Sequence, residues 1–158
     1  MARLGDSFPP QWREEHATHE LCAGMVVKID CDFTTPPKEK YAVIAAWGDR
    51  PLLLLINHPI PQFITRRPHL IPLQVTLAAA DYTFLSHDSF ADCSQLHVLD
   101  DASAVRRQVV GNLGRVCGML TPASCRSVLD AIDRALTVSP AHKAAVHQAL
   151  DTRAGAGP

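Results

Sequence analysis

A small set of side chains in this chain has the types and surroundings that chemistry requires. His58 and His87 carry the only side-chain type whose unperturbed pKa lies near neutrality, so either can take up or give up a proton. Asp88 follows His87 directly and suits a general base once burial or a neighbour raises its pKa. The bland alternative for a Ser-His-Asp-Ser segment is a turn, with the carboxylate satisfying backbone N–H groups. Lys40 closes a polar loop and can face a phosphate as a point charge, without the two-pronged geometry of arginine; otherwise it is a solvated surface lysine. Arg66-Arg67, with Phe63 nearby, suits a nucleic-acid groove through phosphate contacts and base stacking, or else simply keeps a loop soluble.

Metal chemistry has less support. His16 and His19 share one face of any helix that spans them, but no third ligand has a position to join them. Neither a metal nor any other cofactor is therefore expected. The five cysteines stand at 22, 31, 93, 117 and 125 with no CxxC pair, which argues against a disulfide framework and a zinc knuckle. Cys31 and Cys125 fall on apolar faces and read as small core residues, whereas Cys93 reads as an exposed thiol.

These side chains need a scaffold, and the pattern of apolar residues describes one. Residues 1–22 are polar, include Pro9-Pro10, and read as an arm with a short helical turn from Trp12 to His19. Met25, Val27, Ile29 and Cys31 alternate with Val26, Lys28, Asp30 and Asp32, the period of a half-buried strand. A polar loop containing Pro36-Pro37 follows, and then strands from Tyr41 to Trp47 and from Leu52 to Asn57, with Gly48-Asp49-Arg50-Pro51 as the turn between them. The unbroken run Leu52 to Ile56 is expected to be buried on both faces. A proline-rich loop from His58 to Pro72 leads to a strand at Leu73 to Leu77, and Tyr82–Leu85 and Gln95–Leu99 are further short strands. Thr121-Pro122 and Ser139-Pro140 each combine an N-cap with proline at the first helical position. Cys125, Val128, Leu129, Ile132 and Leu136 form one apolar stripe on the first of these helices, and the second runs to about Leu150.

Strands first and helices last predict a mainly β fold, a small barrel or curled sheet with C-terminal helices packed on it. The domain division is an arm (1–22), a barrel domain with its closing helix (23–138), and a last helix with a frayed tail (139–158). A net charge of −1 over 158 residues excludes a uniformly basic nucleic-acid coat but leaves room for a local basic groove. No apolar run approaches the roughly 20 residues a membrane helix needs, and the N-terminus lacks an apolar signal core. A cytoplasmic protein with reduced thiols and no membrane partner is expected.

Taken in order, these segments resemble a known group. Gly24-Met25-Val26-Val27-Lys28-Ile29-Asp30-Cys31-Asp32, a threonine-containing loop, Lys40-Tyr41-Ala42-Val43-Ile44, then Phe84-Leu85-Ser86-His87-Asp88-Ser89 and a helix opened by Leu120-Thr121-Pro122 are similar to the MazF/PemK-type toxins. The resemblance implies an SH3-like barrel, a homodimer, an antitoxin peptide as partner, and metal-independent cleavage of single-stranded RNA. Lys40 stands where that family has arginine, Tyr41 where it has proline, Ser86 where arginine is frequent, and Asn57-His58-Pro59-Ile60 in place of a Thr/Ser-rich segment. Under this resemblance Lys40, His58 and Asp88 are the catalytic set, and Arg66, Arg67 and His87 contact RNA. The replaced arginines motivate the alternative, a non-catalytic module that binds a protein or nucleic acid through the same barrel.

Overall fold

The computed structural model describes residues 21–155. The arm, with its expected turn at Trp12–His19 and the His16/His19 pair, lies outside the described residues. Seven strands form one curled antiparallel sheet: β1 (Met25–Cys31), β2 (Lys38–Ala46), β3 (Leu52–Asn57), β4 (Gln74–Leu77), β5 (Ser89–Asp92), β6 (His97–Val98) and β7 (Val116–Met119). The hydrogen-bonded order is β4-β5-β3-β2-β1-β7, with β6 alongside β3. β4 and β7, at the two ends of this path, do not pair with each other, so the expected small barrel takes the form of a curled half-barrel.

The alternation read in β1 divides two cores. Val27, Ile29, Ala42, Ile44, Leu53 and Leu55 face one way, against Val105 and Val109 of helix α2 (Ser103–Gly111). Val26, Val43, Leu54 and Ile56 face the other, against helices α3 (Pro122–Arg134) and α4 (Pro140–Ala154). This double cover explains why every residue of β3 is buried. Both C-terminal helices start where the sequence indicates: the Thr121 side chain accepts from Ser124 N, and that of Ser139 from His142 N. Val146, Leu150 and Ala154 join α4 to the same core as α3. No helix among the described residues is long and apolar enough to cross a membrane.

Several expectations are corrected. Tyr82–Leu85 is not a strand, because its aromatic rings have sideways partners: Tyr82 OH donates to Ser124 Oγ at 2.6 Å, and Phe84 packs on Tyr41 with ring centroids 5.4 Å apart. Only His97–Val98 of the expected Gln95–Leu99 strand pairs. The stretch Ser89–Asp92 does pair, between β3 and β4. Leu136 lies beyond the end of α3 and is 97% exposed. Cys93 is fully buried, and burial pushes its thiol pKa strongly upward, so it is a core residue rather than a surface thiol.

Candidate active site

The ends of β2 and β3 open onto a cleft of about 780 Å³, a size typical of ligand pockets. Its floor is Tyr41, Ile56 and Asn57, and its walls are the Pro59–Thr65 segment and the Phe84–His87 turn. A four-residue helix, α1 (Gln62–Thr65), stiffens the first wall and is pinned by fully buried Ile64. Tyr41 OH donates to the Phe84 carbonyl at 3.3 Å and ties the second wall to the sheet.

Lys40, His58 and His87 all line this cleft. The β2–β3 register pairs Ala42 with Leu55, and two residues further along it sets Lys40 opposite Asn57. There the Lys40 amine donates to Asn57 Oδ1. Burial, and then the neighbouring Lys38, push the Lys40 pKa below its usual value. His58 Nδ1 lies 2.9 Å from the Asp88 carbonyl oxygen. A carbonyl can only accept, so Nδ1 carries the proton, and in the neutral ring Nε2 presents a lone pair. The His58 and His87 rings stack with centroids 4.2 Å apart, and Ser86 Oγ lies 3.1 Å from His87 Nε2.

The remaining residues fall outside that convergence. The Asp88 carboxylate accepts from Ala79 N at 2.9 Å and does not line the cleft. Asp88 therefore reaches the site through its carbonyl, and its side chain takes the turn-forming role. Arg66 and Arg67 follow the Thr65 wall and are exposed beyond the lining. Arg67 donates to the Phe63 carbonyl at 3.1 Å and holds its guanidinium 6.0 Å from the half-exposed Phe63 ring. Asn57 and Ser86 enter the sequence reading only as departures from the family pattern, without a role of their own; the cross-strand register is what brings Asn57 to Lys40. Among the described residues no group of three His, Cys, Asp or Glu side chains is arranged to hold a metal.

The curled antiparallel half-barrel with C-terminal helices is a MazF-like fold. Among solved structures the chain is similar to the Mycobacterium tuberculosis toxin MazF-mt6, with a TM-score of 0.50 and 14% identity over 73% of this chain and 98% of that one. No family model and no curated protein matches the sequence.

Proposed function

We propose that this protein is a toxin-like, metal-independent endoribonuclease acting on single-stranded RNA. The observation that carries the reading is the meeting of Lys40, His58 and His87 on one cleft of a MazF-like fold. His58 takes the 2′-hydroxyl proton through Nε2 while the 2′-oxygen bonds to phosphorus. The Lys40 ammonium offsets the charge that develops on the phosphoryl oxygens. His87 donates a proton to the 5′-oxygen as its bond to phosphorus breaks, leaving a cyclic phosphate and a free hydroxyl. Asp88 holds His58 in the required tautomer through its carbonyl, and Arg66, Arg67 and Phe63 take the strand beyond the cleft. A homodimer, an antitoxin peptide and a cytoplasmic setting accompany this reading.

The test is to incubate the purified protein with a long single-stranded RNA in excess EDTA. Fragments ending in cyclic phosphates are expected, and Lys40→Met and His58→Gln should each suppress them. Intact RNA would overturn the reading, and RNA bound without cleavage would favour the non-catalytic module.

A further inference from the structure

Among the described residues, four hydroxyl side chains line the cleft: Tyr41, Thr65, Ser86 and Ser89. Three of them give their hydrogen to a main-chain carbonyl. Tyr41 OH donates to Phe84 O at 3.3 Å, Thr65 Oγ1 to Gln62 O at 2.9 Å, and Ser89 Oγ to His87 O at 3.0 Å. A hydroxyl has one hydrogen to donate, so these three are committed to holding the walls. Ser86 differs, because its Oγ meets a ring nitrogen, His87 Nε2, at 3.1 Å.

The turn fixes that pair from both sides. The Phe84 carbonyl before it is tied to Tyr41, and the His87 carbonyl at its end is tied to buried Ser89. Leu85 is buried beneath the turn, and the His87 ring stacks on His58. Ser86 and His87 themselves stay exposed along the cleft. A charged imidazole carries hydrogen on both nitrogens and can only donate. Nε2 of the charged ring therefore aims its hydrogen at Ser86 Oγ, and the serine hydrogen is left to bond a group in the cleft.

We infer that Ser86 is a catalytic residue that relays the proton of His87 to the departing 5′-oxygen. The inference rests on the cleavage reading above and adds to it the path by which the acid acts. As the bond between phosphorus and the 5′-oxygen breaks, its electron pair stays on that oxygen. The Ser86 hydroxyl gives the oxygen its proton and takes the Nε2 proton in the same step. Serine ends as it began, His87 ends neutral, and the leaving strand carries a 5′-hydroxyl.

Single-turnover cleavage in excess EDTA of two RNAs that differ by one atom tests the relay. One carries the natural 5′-oxygen at a site that the native protein cuts. The other carries a bridging sulfur there, which departs as a thiolate and needs no proton. Ser86→Ala should slow the natural RNA by about 10²-fold and cut the sulfur RNA at close to the native rate. His87→Gln should give the same pattern, and the double variant should be no slower than the slower single, because both side chains act on one proton. Three results would overturn the relay and leave the cleavage reading standing: native rates for Ser86→Ala on the natural RNA, equal slowing on both RNAs, or single effects that multiply in the double variant. Native protein that cuts no RNA would overturn both.

Discussion

Replacing Asn57 with aspartate changes the charge beside the Lys40 amine with almost no change of shape. In the native protein the amine is partly buried, its pKa is held down by burial and by Lys38, and its partner is a neutral amide oxygen. A carboxylate in that position faces the ammonium directly. Unit charges about 4 Å apart interact by about 4 kcal/mol at an effective dielectric of about 20, equivalent to about three pH units. Lys40 keeps part of its surface in water, so screening reduces the effect, and an upward move of about one to two pH units remains. The sign of the stability change follows. In the native protein Lys40 titrates below its unfolded value of 10.5, so its contribution to stability rises with pH across that window. If Asn57→Asp lifts the amine above 10.5, the added stability is present below that value and is lost as pH climbs through the new pKa. Cleavage should fall by about tenfold or more, because the new carboxylate competes with the phosphoryl oxygens for the ammonium. NMR titration of the Lys40 ε-methylene, run beside cleavage rates, measures both effects. An unmoved titration would refute the Lys40–Asn57 coupling, and a moved titration with native cleavage would refute the role of Lys40 in charge stabilisation.

His58→Gln should lower the cleavage rate by about 10²- to 10⁴-fold as an acid–base group is removed. Asp88→Ala should instead leave cleavage within a few-fold and reduce stability by about 1 kcal/mol through loss of the bond to Ala79 N, as read by denaturant titration. His147 bridges the last two helices, with Nε2 2.7 Å from Asp133 and Nδ1 3.3 Å from Asp151, and the hydrogen bond to Asp133 raises its pKa above 6.5. Its stabilisation is complete below about pH 6.5 and fades as pH rises through the raised value, so His147→Gln should remove that part of the pH dependence of the melting temperature. Gly24 has φ +88°, and a Cβ there would come 2.8 Å from Arg153 Cδ. Gly24→Ala should therefore cost about 1–2 kcal/mol, a fall of about 2–8 °C in melting temperature, and an unchanged melt would count against the left-handed backbone at that residue.

Local pattern by itself determined β1 to β4, the uninterrupted burial of β3 and the two capped helices, because alternation, an unbroken apolar run and a Thr-Pro or Ser-Pro start act within a few residues. It also placed Lys40, His58 and His87 among the chemically capable residues. Ser89–Asp92 does not read as a strand, because its buried Asp92 looks like a surface residue. Only the folded chain supplies the partners that make burial tolerable, Gln74 Nε2 at 2.8 Å and Ser94 N at 3.0 Å. Tyr82–Leu85 has strand composition, yet its rings found partners across the sheet and on α3, and side-chain packing outweighed strand propensity. The site depended on tertiary structure most of all. Asn57 acquires its role from a register between strands, and His58 its tautomer from a carbonyl 30 residues away. The Asp88 carboxylate is drawn off by a backbone N–H nine residues earlier. Residue types state what chemistry is available, but which groups meet is decided by long-range pairing that no short stretch of sequence contains.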